Sequence, residues 1–167
     1  MWRSACLALG LLVVMMPRSE ALTVGDKAAD FSSPELGTNT PITLTDFRGQ
    51  VVYLDFWASW CGPCRVSLPA MEVMYRELKD QGFTVLAVNL DADVADAQKF
   101  LLSRPVSYPL IYDAEQSLPK LYAVKGMPTA YILDRTGVVR DVHEGFRPGD
   151  ESRIKHIIEA LLAEEES

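Results

Sequence analysis

The fold of this chain is decided between Asp55 and Cys64, where the sequence reads DFWASWCGPC. The start of this stretch completes a nearly continuous apolar run, Val51–Trp57, which is typical of a strand buried on both faces of a sheet. Beyond the second cysteine, apolar residues return at helical spacing, at Val66, Ala70, Val73, Met74 and Leu78. This order predicts a buried strand, a tight turn and a helix that begins at about Gly62, with Cys61 at its N-terminus.

The segments on either side also alternate between strand and helix patterns. Strands are predicted at 42–44, 83–90, 110–112, 129–133 and 138–143, and helices at 93–102 and 116–122. The clearest helix follows Asp150, which is placed to cap it, and its apolar face is formed by Ile154, Ile157, Ile158, Leu161 and Leu162. We therefore expect an α/β fold in which helices flank a central mixed β-sheet of four or five strands.

The first 21 residues have the pattern of a signal peptide. A positive start at Arg3 is followed by the apolar run Cys6–Met16 and by small residues that allow cleavage before Leu22. We expect residues 1–21 to be a signal peptide and residues 22–167 to be one domain. An uncleaved membrane anchor is the alternative, although spanning a bilayer takes about 20 apolar residues.

The composition excludes several classes of protein. The 167 residues contain 16 Lys+Arg and 23 Asp+Glu, a net charge of −7, and 49% of them are apolar. The ordinary apolar fraction argues against disorder. The excess of acids argues against nucleic-acid binding, which needs a concentrated basic face. Of the three cysteines, Cys6 lies in the signal peptide, so two remain in a compartment that oxidises thiols.

The pair Cys61 and Cys64 predicts a redox dithiol. A helix N-terminus stabilises an anion, and the thiolate is the nucleophile that attacks disulfides. Cys61 should therefore attack, and Cys64, one turn later, should resolve the mixed disulfide. A structural disulfide is one alternative, but so short a loop stabilises little. Zinc is another, but it needs four ligands and only His143 and His156 remain to complete the set, so no metal and no cofactor is expected.

Two further features belong to the same chemistry. Asp55 is the one acid in its apolar strand, where burial would raise the pKa of the carboxyl and let it accept a proton from Cys64. A solvated position at the sheet edge is the alternative. The bond between Met127 and Pro128, at the head of a strand, is a candidate cis peptide beside which a substrate segment could pair as an added strand. An ordinary strand-starting proline explains it equally well.

Together these residues resemble the thioredoxin superfamily. The resemblance rests on residues 55–64, on Pro69 and on the run Gly126-Met127-Pro128-Thr129, and it extends over residues 22–167. The N-terminal extension and the insert at 93–121 are similar to the secreted branch, the TlpA-like and ResA-like thiol:disulfide reductases. The resemblance implies a thioredoxin-like fold with an N-terminal extension and an insert before the cis-Pro strand.

The resemblance also implies roles for the site residues. Cys61 would be the exposed nucleophile, Cys64 the buried resolving thiol, Asp55 the buried acid and Pro128 a cis-proline facing the disulfide. The implied substrate-binding residues are Trp60, Gly62, Pro63, Met127 and Pro128, with Trp57 packed beside the site.

The function implied by the resemblance is that of a thiol:disulfide oxidoreductase of the bacterial periplasm. It would reduce disulfides of exported proteins, including apocytochrome c and metal-site assembly factors, with electrons from a membrane thiol transporter. A dithiol oxidase or isomerase would share this fold, and a redox-inactive binding or chaperone module would lack a cysteine. A peroxidase is disfavoured because Ala58 and Leu54 replace its Thr and Pro. Asp91 and Asp93 are the candidates for the loop acid that ResA-like reductases carry.

Overall fold

A computed structural model describes residues 21–164. The predicted signal peptide therefore lies outside the described residues except for its last position. No helix within residues 21–164 is both long enough and apolar enough to cross a membrane.

The apolar run before the cysteines forms the central strand of the sheet. All seven residues of Val51–Trp57 are buried, because neighbouring strands cover both edges and other elements cover both faces. The strand bounds of the main sheet are Val51–Trp57 (β3), Phe83–Asn89 (β4), Leu110–Tyr112 (β5), Thr129–Leu133 (β6) and Val139–Glu144 (β7). Their order is β5-β4-β3-β6-β7, with β3, β4 and β5 parallel and β6 antiparallel to both of its neighbours. The predicted mixed sheet is confirmed, with five strands.

Within residues 21–164, the remaining elements are four α-helices, two short 3-10 turns and a small hairpin. The helices are Cys64–Leu78 (α1), Val94–Ser103 (α2), Ser117–Leu121 (α3) and Asp150–Ala163 (α4). Strands Ser32–Pro34 (β1) and Pro41–Thr43 (β2) pair antiparallel in the N-terminal extension. The insert before the cis-Pro strand consists of α2, β5 and α3, as expected from the resemblance.

Two apolar cores lie on opposite faces of the sheet. Alternate residues of β3 point to opposite faces, so Tyr53 and Trp57 join the core under α1, α2 and α4 while Leu54 joins the other core. Both cysteines belong to the α1 side. Asp55 lies between Tyr53 and Trp57 in the strand and therefore points to the same side as the cysteines.

The buried face of α1 differs from the prediction. The helix begins at Cys64 rather than at Gly62, and it buries Leu68, Met71, Met74 and Leu78. Val66 and Val73, two of the apolar residues that the sequence places at helical spacing, are 54% and 59% exposed. The apolar residues of this helix occupy more than one stripe, so spacing alone could not select the face that the sheet covers.

Several other boundaries differ from the prediction by one residue, and two of these differences have a local cause. The cap of α4 is Gly149, in the left-handed region at φ 100°, while Asp150 is the first helical residue and accepts a hydrogen bond from the Arg147 N–H at 2.7 Å. Strand β2 ends at Thr43 because a 3-10 turn, Leu44–Phe47, begins there and Asp46 accepts from the Thr43 N–H.

Candidate redox site at the start of α1

The two cysteines form a disulfide at the entrance to α1. The sulfurs of Cys61 and Cys64 are 2.05 Å apart and the Cα atoms 5.3 Å apart. The backbone N–H of Cys64, the first residue of the helix, donates to the Cys61 sulfur at 3.3 Å. A free backbone donor of the helix N-terminus is thus aimed at Cys61, where it would stabilise a thiolate after reduction.

The surface around the disulfide is asymmetric. Cys64 is fully buried under the start of α1, whereas Trp60, Gly62 and Pro63 are exposed, Trp60 by 66%. Cys61 is only 5% exposed, which corrects the expectation of an open nucleophile. Its sulfur is bonded back to the buried Cys64, so in this oxidised state it is held against the protein rather than turned to solvent.

The turn before Cys61 is held by a buried carboxylate. Asp91 follows β4 and is 1% exposed. Its oxygens accept hydrogen bonds from the Ser59 N–H at 3.0 Å, from the Ser59 hydroxyl at 2.9 Å and from the Asn89 amide at 2.8 Å. Asp93 instead caps α2 by accepting from the Ala95 N–H at 2.9 Å. Of the two candidate loop acids, Asp91 is therefore the one tied to the cysteine turn.

Asp55 is buried in the middle of the sheet, so the alternative of a solvated edge position is excluded. It is 1% exposed and pairs with Ala87 on one side and Ala130 on the other. One carboxyl oxygen, Oδ1, has no hydrogen-bond partner among the described residues. Burial raises the pKa of Asp55 from 3.8 to about 8, and a hydrogen bond from the Phe56 backbone offsets part of that rise.

Polar groups near Asp55 share its buried surroundings. The indole Nε1 of Trp57, two residues further along the same face of β3, is also buried and unpartnered within residues 21–164. Burial raises the pKa of Tyr53 and of Tyr108, and the negative charge of Asp55 raises both further. Asp55 therefore faces an interior that disfavours its ionised form, and it holds a proton near neutral pH.

The proline strand begins at the same edge of the sheet as the cysteine turn. The Met127-Pro128 bond is cis, which confirms the sequence expectation. Thr129 pairs with Phe56, so Pro128 lies level with the end of β3. Within the described chain, no hydrogen bond uses the Met127 N–H or C=O, whereas the Pro128 carbonyl accepts from the Gly145 N–H at 2.8 Å. Met127 therefore offers a free stretch of main chain beside the site.

The histidines lie on β7 and α4 and not on the cysteine turn. His143, on β7, is buried, with Nε2 3.3 Å from an Asp150 oxygen and Nδ1 2.8 Å from an Arg153 nitrogen. His156 is exposed on α4. In residues 21–164, no group of three or more His, Cys, Asp or Glu residues is arranged to hold a metal ion.

Known proteins with similar sequences and structures share this chemistry. The AhpC/TSA family model matches residues 24–142. The thiol-disulfide oxidoreductase ResA of Oceanobacillus iheyensis is 30% identical over 145 residues, which cover 84% of this chain and 75% of that protein. The thioredoxin-like protein YneN of Bacillus subtilis is 38% identical over 124 residues, covering 72% and 71% of the two chains.

A similar solved structure also comes from a protein assigned to thiol-disulfide chemistry. The crystal structure of a Chlorobium tepidum protein assigned as the thiol:disulfide interchange protein DsbE is 49% identical, with a TM-score of 0.82 over 86% of this chain and all of that one. The thioredoxin-like fold expected from the resemblance is thus confirmed. The chain belongs to the AhpC/TSA family, with a thioredoxin-like fold, and it is a thiol-disulfide oxidoreductase.

Proposed function

We propose that this protein reduces disulfides in exported proteins, with Cys61 as the nucleophile and Cys64 as the resolving thiol. The observation that carries the proposal is the unequal placement of the two sulfurs. The first N–H of α1 points at the Cys61 sulfur, while Cys64 is fully buried. Cys61 is therefore the thiol that can ionise more easily and reach a partner.

The reaction starts from the reduced dithiol and transfers two electrons. The Cys61 thiolate attacks one sulfur of the substrate disulfide, so a mixed disulfide forms and one substrate thiolate leaves. Cys64 then gives its proton to the ionised form of Asp55, which is the minor form at neutral pH, and attacks the Cys61 sulfur, which releases the second substrate thiolate. The product is the Cys61–Cys64 disulfide seen in the structure.

Asp55 suits the proton transfer because its pKa is raised to about 8. A carboxyl that titrates near neutral pH can take up a proton in one step and lose it in the next. Its position on the α1 side of β3 puts it on the face that both cysteines share.

The substrate would lie across Trp60, Gly62, Pro63, Met127 and Pro128. Trp60 supplies an exposed aromatic surface next to Cys61. The unpaired main chain of Met127 would bind an extended substrate segment in the manner of an added strand. This arrangement favours polypeptide disulfides over small ones.

The cellular setting is also part of the proposal. Residues 1–21 would direct the domain, residues 22–167, to the bacterial periplasm, with an uncleaved anchor as the alternative. Electrons would come from a membrane thiol transporter, and apocytochrome c or metal-site assembly factors would be among the substrates. The relatives named thiol-disulfide oxidoreductase support the disulfide chemistry on which this setting depends.

The direction of electron flow can be tested by the redox potential. Dithiol potentials of related folds run from about −270 mV for reductants to about −120 mV for oxidants. We expect a value towards −270 mV, measured by equilibration of residues 22–167 with dithiothreitol or glutathione, and catalysis of insulin reduction that is lost in Cys61→Ser. A potential near −120 mV with rapid oxidation of reduced peptides would instead support the oxidase.

A further inference from the structure

A positively charged groove opens directly beside the disulfide. Its walls come from the cysteine turn and from α2, and it has a volume of about 430 Å³. The residues that determine its character are Trp60, Arg65, Asp96, Lys99, Phe100 and Arg104. Trp60 immediately precedes Cys61 and Arg65 immediately follows Cys64. We call this feature the basic groove.

The charge of the basic groove is opposite to that of the whole protein. Arg65, Lys99 and Arg104 line the groove together with one carboxylate, Asp96, whereas the chain as a whole carries −7. A second carboxylate, Asp91, is buried behind the lining residue Ser59. Ion pairs elsewhere in residues 21–164 use other cations, and none of these three lies within 4.0 Å of a carboxylate. A local positive field on an acidic protein attracts an acidic ligand to this site rather than to the rest of the surface.

The two arginines are held on one aromatic ring. The guanidinium carbon of Arg65 lies 6.0 Å from the centre of the Phe100 ring, and that of Arg104 lies 5.2 Å from it. Phe100 in turn packs on the buried Trp57, with ring centres 5.4 Å apart. Two like charges are therefore gathered on one support without a carboxylate between them, an arrangement that a bound anion would stabilise.

The far wall of the groove is anchored to α1. Glu72 of α1 accepts hydrogen bonds from the Ser107 N–H at 2.7 Å and from the Ser107 hydroxyl at 2.8 Å. Ser107 lies three residues after Arg104, just beyond the end of α2. This contact fixes the end of α2 relative to the helix that carries Cys64, so the charges stay at a set place beside the disulfide.

We propose that the basic groove binds an acidic segment of the substrate polypeptide, one that carries Asp or Glu residues close to the reactive cysteine. The proposal rests on the proposed function and adds to it the chemistry that selects the substrate. Met127 offers unpaired main chain at the edge of the sheet where the cysteine turn lies, and Trp60 of that turn lines the groove. Carboxylates there would meet guanidinium groups in the geometry that arginine favours.

Three synthetic peptides test the proposal. They share one intramolecular disulfide and carry two Glu, two Gln or two Lys residues beside the same cysteine. The reduced domain, residues 22–167, is mixed with each peptide, and the second-order rate constant is measured from acid-quenched samples. We expect the Glu peptide to react about fivefold to tenfold faster than the Gln peptide at low salt and the Lys peptide to react more slowly. The preference should fall in 1 M salt, where the screening length is about 3 Å.

Charge-reversal variants assign the preference to the groove. Lys99→Glu, alone and combined with Arg104→Glu, should bring the Glu-to-Gln rate ratio to one or below. Lys79→Glu changes the net charge as much as Lys99→Glu alone, but at the exposed far end of α1, and should keep the wild-type ratio. Arg65 is left unchanged because its charge adjoins Cys64 and would act on the thiols themselves.

The outcomes separate this inference from the proposed function. Equal rates for the three peptides would refute the proposal that the basic groove binds acidic segments, but the proposed reductase function would stand. If Lys79→Glu also removes the preference, the preference depends on net charge and not on the groove, and the proposal is refuted. Oxidised glutathione tests whether the groove instead binds a small anionic disulfide. If it is reduced as fast as the Glu peptide, and if Lys99→Glu lowers both rates equally, the groove does not select a polypeptide segment and the proposal is overturned. Failure to reduce even the Gln peptide would refute the proposed function, and the inference with it.

Discussion

Replacing Asp55 with Asn should remove a loss of stability that the wild-type protein suffers as the pH rises. The folded protein holds this carboxyl in a site where its pKa is about 8, against 3.8 for the ordinary group. Between these values the folded state binds a proton that the unfolded state has released. Stability due to this group is therefore greatest below about pH 4 and falls with rising pH until about pH 8.

The size of the stability loss depends on how many pH units are crossed between the two pKa values. Each pH unit between the two pKa values costs about 1.4 kcal/mol of unfolding free energy. From pH 4.5 to pH 7.5 the wild-type protein should therefore lose about 4 kcal/mol relative to Asp55→Asn, an upper bound because water that enters beside the carboxylate would ease its ionisation. The Asn side chain keeps the size of the acid and stays neutral throughout this range.

The assay is unfolding of the oxidised proteins in guanidinium chloride at a series of pH values. Other titrating groups are common to both proteins, so the difference between the two curves isolates Asp55. Asp96→Asn, a change at an exposed carboxylate, is the control and should follow the wild-type curve. Parallel curves for the wild-type protein and Asp55→Asn would refute the assignment of a raised pKa to this residue.

Two further predictions concern stability. Asp91→Asn should cost about 1–3 kcal/mol of unfolding free energy, because the amide cannot accept all of the bonds that Ser59 and Asn89 now donate to the carboxylate. Denaturant unfolding measures this loss. The control, Asp93→Asn, should lose less than about 0.5 kcal/mol, since Asn also caps helices well. Leu68→Ala should cost about 2–5 kcal/mol and Val73→Ala less than about 1 kcal/mol, because only the first is buried; equal losses would mean that α1 buries the other face.

The elements that the sequence predicted best are three strands of the main sheet. The bounds of β3, β5 and β6 match the prediction residue for residue, because each is a short apolar run between clear turn signals. Helix α1 was predicted correctly as an element, and of the apolar residues at helical spacing Met74 and Leu78 are buried whereas Val66 and Val73 are exposed. Val66 and Val73 share a helical spacing with buried residues, and only the position of the sheet decides which stripe it covers.

The cysteines, Asp55 and Pro128 could be predicted as candidates because local sequence marks each of them. An acid in an apolar strand, two cysteines three positions apart and a proline before a strand are all visible without tertiary contacts. The role of Asp91 could not be seen in this way. Its partner Ser59 lies 32 positions earlier in the chain, and nothing in the intervening sequence indicates that the two meet.

The basic groove was not predicted either. Arg65, Lys99 and Arg104 are spread over 40 positions of an acidic chain, so composition gave no sign of a local positive charge. They converge because α2 packs beside the start of α1 and presents Phe100 to both arginines. Local charge on a folded surface is thus independent of net charge.

Trapping of the mixed disulfide tests most directly which cysteine attacks the substrate and which one resolves the mixed disulfide. Cys64→Ser is incubated with a disulfide peptide, and covalent adducts are detected by mass spectrometry under non-reducing conditions, with Cys61→Ser as the matched control. We predict a reductant-sensitive adduct on Cys61 in Cys64→Ser and none in Cys61→Ser. An adduct that forms through Cys64 in Cys61→Ser, with none in Cys64→Ser, would contradict the assignment of Cys61 as the attacking thiol.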